Sequence, residues 1–78
     1  MLVTSMYKGE KLNNRLKVLR AERNLTQENL ATLIGVTRKT INTIERAVYV
    51  PSTELALKLA HALDVPVEDI FSLPEPEP

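Results

Sequence analysis

Gln27-Glu28-Asn29-Leu30-Ala31-Thr32-Leu33-Ile34-Gly35-Val36-Thr37-Arg38-Lys39-Thr40-Ile41-Asn42-Thr43-Ile44-Glu45-Arg46 is the stretch whose reading decides the fold. Leu30, Ala31 and Ile34 mark one side of a first helix; Ile41 and Ile44 mark one side of a second. Gly35, between them, takes a left-handed backbone at a helix end without steric cost. Val36 follows, and Thr37 reads as the next N-cap. Two short helices crossing at about 90–120° over a tight turn need a small side chain where they approach, and Ala31 supplies it. With Val36, Ile41 and Ile44 turned inward, Thr37, Arg38, Lys39, Thr40, Asn42 and Thr43 remain outside. Each is a hydrogen-bond donor, and most suit base edges or phosphate.

The flanks read as helical too. Leu12, Leu16 and Leu19 recur at spacings of four and three, which predicts a helix from about Lys11 to Arg23 with Asn24 as a stop. Thr26 reads as the next N-cap, with Asn29 rather than an acid three residues on, so the capping box is expected to be incomplete. Downstream, Pro51 and Ser52 open a fourth helix with Leu55, Leu59 and Leu63 on its inner face, beside Ala56, Ala60 and Ala62. Asp64 to Pro66 breaks it. Val67, Ile70 and Phe71 suit a short fifth helix, with Glu68 and Asp69 favourably placed in its first turn. No strand is expected within residues 11–73. The fold class is therefore all-α, a compact five-helix bundle over residues 11–73. Residues 1–10 form an N-terminal arm in which Leu2, Val3 and Tyr7 suit a short strand. Residues 74–78, Pro-Glu-Pro-Glu-Pro, form an extended, solvated tail.

Composition narrows the function. A chain of 78 residues holds one small domain. It has no Cys, which excludes disulfides and thiolate zinc sites, and its one histidine, His61, cannot build a metal cluster. No apolar run reaches the roughly 20 residues of a membrane span, and Met1 to Met6 does not read as a secretory leader, so a cytoplasmic location is expected. The formal net charge is zero but its distribution is not even. Residues 1–46 carry nine Lys and Arg against four Glu, a net +5; residues 47–78 carry one Lys against six acids, a net −5. Either both halves are ordinary solvated surface, or a basic face meets a polyanion while an acidic end turns away.

The chain resembles the small Cro/phage-repressor (xenobiotic-response-element-like) helix-turn-helix regulators. The matching text is Asn14-Arg-Leu-Lys-Val-Leu-Arg-Ala-Glu-Arg23, Leu25-Thr-Gln-Glu-Asn-Leu-Ala31, Ile34-Gly-Val-Thr-Arg-Lys-Thr-Ile41, Ile44-Glu45 and Pro51-Ser-Thr-Glu-Leu-Ala-Leu-Lys-Leu-Ala60. The likeness covers about residues 12–72. It implies a lambda-repressor-like bundle whose recognition helix, about 38–46, lies in the major groove of double-stranded DNA. By position it assigns base contacts to Arg38, Lys39, Asn42 and Thr43. It puts Gln27 on phosphate and makes Arg20 and Glu45 a structural pair between helices one and three, the plainer reading of Glu45 being an ordinary solvated acid; Thr26, Thr37 and Thr40 take cap or phosphate roles, and Arg46 adds a phosphate contact. It further implies a transcriptional regulator, most simply a repressor, acting as a homodimer through helix five (Val67, Phe71), helped by the N-terminal arm. One departure stands out. Where relatives carry Asn-Gly-Lys-Tyr-Asn-Pro, this chain reads Arg46-Ala-Val-Tyr-Val-Pro51. The glycine's easy left-handed turn is expected to be lost, and with it a lysine contact to phosphate for which Arg46 is positioned to compensate; Val48, Tyr49 and Val50 suit packing on the domain or on a partner instead.

Plainer readings fit the other candidates. Arg15, Lys17 and Arg23 suit a solvated helix face. His61 lacks a companion nucleophile or metal ligand. Glu68 and Asp69 diverge by about 100° on a helix, so they do not converge on a substrate. Tyr7, Tyr49 and Phe71 are too scattered to stack on single-stranded bases. No catalysis, cofactor, metal or small-molecule ligand is implied. The alternative from another class is a protein-interaction module, such as an antitoxin gripping its toxin.

Overall fold

The computed structural model describes residues 12–75. Five helices follow one another: α1 (Leu16–Glu22), α2 (Gln27–Ile34), α3 (Arg38–Glu45), α4 (Thr53–Leu63) and α5 (Val67–Ile70). Their inner faces form one core. Leu16, Leu30, Ile41, Ile44, Leu59 and Leu63 are fully enclosed, with Leu19, Ala31, Ile34, Ala60, Ile70 and Phe71 around them. Burying such side chains contributes about 1.5–3 kcal/mol each, the dominant favourable term for a domain of this size. Val36, Leu55, Ala56 and Ala62 pack at its edge, half-buried.

The caps explain where the helices begin and end. Thr26, Thr37 and Ser52 each accept a hydrogen bond from the amide three residues on. The box at Thr26 is complete, contrary to expectation. Asn29 Oδ1 accepts from the Thr26 amide at 3.0 Å while Thr26 Oγ1 accepts from the Asn29 amide at 2.9 Å. The amide carbonyl of Asn is an acceptor and needs no charge to serve here. The chain after each of α1 to α4 passes through a left-handed residue, at Asn24, Gly35, Ala47 and Asp64. Asn, Gly and Asp tolerate that conformation. Ala47 does not, yet it stands at φ 59°. The turn expected to disappear with the glycine is therefore present.

Three boundaries differ from the periodicity. A two-stranded antiparallel ribbon joins β1 (Asn13–Asn14) to β2 (Phe71–Ser72), in the interval where no strand was expected. Consequently α1 starts at Leu16 rather than near residue 11. Asn14 holds that start: its Oδ1 accepts from the Leu16 amide at 2.9 Å, and its Nδ2 donates to the Ile44 carbonyl at 2.6 Å, joining α1 to the end of α3. Phe71 belongs to the ribbon, not to α5, and is buried in the core. Such pairing is invisible to a period count, because two residues per strand carry no periodicity. Pro74 is buried too, so the packed chain runs a residue into the tail that was expected to be solvated. The ribbon, with a 3.5 Å contact from Asn13 Nδ2 to the Leu73 carbonyl, keeps the chain against the domain to that point. The N-terminal arm and the last three residues of the tail lie outside the described residues.

Candidate nucleic-acid interface

Helices α2 and α3 are joined by three residues, Gly35 to Thr37. Gly35 at φ 75° turns the chain, and the Val36 amide donates back to the Ala31 carbonyl at 2.9 Å. Ala31, 2% exposed, leaves room for the two helices to approach. Ile41 and Ile44, both 0% exposed, then fix which side of α3 faces out. Arg38 and Lys39 are exposed at the N-terminal end of that side, and Arg46 is exposed just after its last turn. Thr40, Asn42 and Thr43 are half-buried. The Thr43 hydroxyl donates to the Thr40 carbonyl at 2.9 Å, and the Thr37 and Thr40 hydroxyls share a hydrogen bond of 3.0 Å.

A polar network underlies this row. Arg20 Nε donates to Glu45 Oε2 at 2.7 Å and its Nη2 reaches Glu45 Oε1 at 3.2 Å, a two-pronged pair between α1 and α3. Arg20 Nη1 also donates to the Leu25 carbonyl at 2.7 Å. The hydrogen bond to Glu45 holds the Arg20 guanidinium above its ordinary range; partial burial opposes this, and the charge of Glu45 adds to it. The Glu45 side chain is 4% exposed, so its carboxylate depends on these donors. A further donor is Gln27 Nε2, at 3.1 Å from Glu45 Oε1 and 3.2 Å from Asn42 Oδ1. A carboxylate only accepts and a guanidinium only donates, so the amide has one satisfactory orientation. Gln27 Oε1 accordingly accepts from Arg38 Nε at 3.3 Å. Gln27, expected on phosphate, thus spends both amide hydrogens inside the protein and braces Arg38. That role was not legible in the sequence, since it needs α2 packed against α3.

One residue expected at the surface is engaged elsewhere. Arg23, read as part of a solvated face, donates through Nε to the Leu63 carbonyl at 2.7 Å and through Nη1 to the Leu19 carbonyl at 3.0 Å. It satisfies the end of α4, where a cation is favoured by the helix dipole. Arg15 and Lys17 are exposed. The remaining phosphate candidates keep a usable proton. Thr26 Oγ1 accepts in its cap, which leaves its O–H free to donate outward. Thr37 and Thr40 share one hydroxyl proton and retain the other. Among the described residues there is no cluster of His, Cys, Asp or Glu that could hold a metal ion, and no helix long and apolar enough to cross a membrane.

A helix-turn-helix family model matches residues 16–70. An uncharacterized HTH-type transcriptional regulator of Methanocaldococcus jannaschii is 52% identical over 60 residues, covering 77% of this chain and 91% of the relative. The Bacillus subtilis HTH-type regulator YgzD is 45% identical over 64 residues, covering 82% and 97%. Among solved structures, the restriction-modification controller protein C.AhdI of Aeromonas hydrophila superposes with a TM-score of 0.67 at 40% identity, covering 70% of this chain and 80% of that one.

Proposed function

The chain belongs to the helix-turn-helix family of DNA-binding transcriptional regulators, and we propose that it reads a specific duplex sequence with α3 laid in the major groove, as a non-enzymatic repressor. One observation carries this reading: Arg38 and Lys39 stand exposed on a helix whose inner side, at Ile41 and Ile44, is wholly enclosed. In this reading Arg38 forks onto a guanine, which its contact with Gln27 Oε1 supports, Lys39 and Thr43 read neighbouring bases, and Asn42 is a lesser contact. Phosphate is held by the hydroxyls of Thr26, Thr37 and Thr40, by Arg46, and by the amides opening α2. Gln27 reaches phosphate only by giving up a bond to Asn42 or Glu45.

A unit this small contacts few base pairs, so selectivity calls for a homodimer on a palindrome with half-sites about 34 Å apart. The acidic side supplies the dimer surface. Phe71 is largely spent on the core, so the apolar contact there rests on a depression bordered by Val50, Pro51, Leu57 and Val67. Dimerisation there leaves the basic face free for duplex.

Selection of bound sites from random duplexes tests the reading, and the expected product is a palindrome. Affinity falls with salt at a log–log slope of about −0.9 per neutralised phosphate. Arg38→Ala costs about 1–3 kcal/mol, confined to one base-pair position. No retention of duplex at low salt favours the interaction-module alternative.

A further inference from the structure

The loop after α3 places exposed apolar side chains beside that helix. Val48 is 67% exposed and Tyr49 44% exposed. Both are held in place: their amides donate to the same Thr43 carbonyl, at 3.0 and 3.2 Å. That pair of bonds folds the loop back beside α3, so Val48 and Tyr49 share a depression of about 330 Å³ with Lys39, Thr40 and Thr43. An apolar wall thus borders the row of donors that faces the bases.

The chemistry of the depression selects its occupant. An exposed lysine in it suits a polyanion and is unlike the core of a protein–protein contact, where lysine is depleted. An isopropyl group makes no hydrogen bond to a base edge or phosphate. The apolar group that a duplex presents in the major groove is the C5-methyl of thymine. A β-branched valine on a braced loop has few rotamers to lose on contact. We propose that Val48 is a specificity-determining residue that reads a thymine by its C5-methyl, at the flank of the bases faced by Lys39 and Thr43. This rests on the DNA-binding reading above.

The test uses the full chain and the duplex it selects. Each thymine is replaced in turn by deoxyuridine, which removes the methyl and leaves base pairing intact. Wild-type protein loses about fourfold in affinity at one thymine per half-site, the worth of one buried methyl. Val48→Ala is insensitive to that same replacement and keeps the wild-type salt slope. Because Val48 is exposed, the variant is expected to unfold as the wild type does, which its denaturant midpoint checks. Methyl sensitivity that persists in Val48→Ala overturns the proposal. So do deoxyuridine effects within twofold at every position, or a selected site without thymine in that flank. Failure to retain any duplex overturns the DNA-binding reading itself, a separate outcome.

Discussion

The two turns that bracket α3 both pass through a left-handed residue, and the two residues are of opposite kinds. Gly35 precedes the helix at φ 75° and Ala47 follows it at φ 59°. At Gly35 the residue suits the conformation, and a Cβ built there meets nothing within 4 Å. At Ala47 the residue resists it, since a left-handed L-residue costs about 1–2 kcal/mol. The Ala47 turn persists because three amides in a row are satisfied by α3. Ala47 donates to the Ile44 carbonyl at 2.9 Å, and Val48 and Tyr49 donate to Thr43. Helix termini leave carbonyls that need partners, and closing this turn supplies them. One turn is thus written in its residue type, whereas the other is imposed by what its neighbours need.

The largest effect in this comparison comes from the anchor of the second turn. Ile44→Ala is expected to cost about 2–5 kcal/mol in denaturant unfolding, because a fully enclosed side chain is removed next to the carbonyl that Ala47 uses. Gly35→Ala comes next, at about 1–2 kcal/mol. The open space around Gly35 means that this cost is purely torsional, so Gly35→Asn should recover part of it. A silent Gly35→Ala would show that the two turns do not share a backbone constraint. Ala47→Gly is the smallest and has the opposite sign. Relief of strain is partly offset by the greater freedom of glycine in the unfolded chain, leaving a gain of up to about 1 kcal/mol. In an Ile44→Ala background that gain should shrink, because contacts that share a turn are not additive. A full gain there would mean that the turn does not depend on its anchor.

The same contrast runs through the interface. The exposure of Thr37, Arg38 and Lys39 was legible because Ile41 and Ile44 recur at helical spacing, whereas Thr40, Asn42 and Thr43, also expected outside, are half-buried. The end of α2 was legible from Gly35, and the starts of α3 and α4 from Thr37 and Ser52. Gln27 was legible as a polar residue opening a helix and was expected on phosphate, not as a brace. Its bond to Arg38 joins residues 11 apart on separate helices, and its amide orientation is dictated by Glu45. Arg23 looked like surface because its acceptor, the Leu63 carbonyl, lies 40 residues away. The ribbon is the extreme case: Asn13 and Asn14 carry no strand signal and find partners only because the chain end returns beside them.

By itself the sequence determined the features that act within a few residues: which segments are helical, most of their caps, and which side of each is apolar. Spacing and side-chain chemistry suffice there, since the interacting groups are held close by the chain itself. Tertiary structure alone decided the ribbon, the bracing of Arg38 by Gln27, the use of Arg23 as a cap for α4, and the left-handed Ala47. Each of these depends on donors and acceptors supplied from elsewhere in the fold or left open at a helix end. Buried polar groups must be satisfied, and which partner satisfies them is known only once the helices have packed.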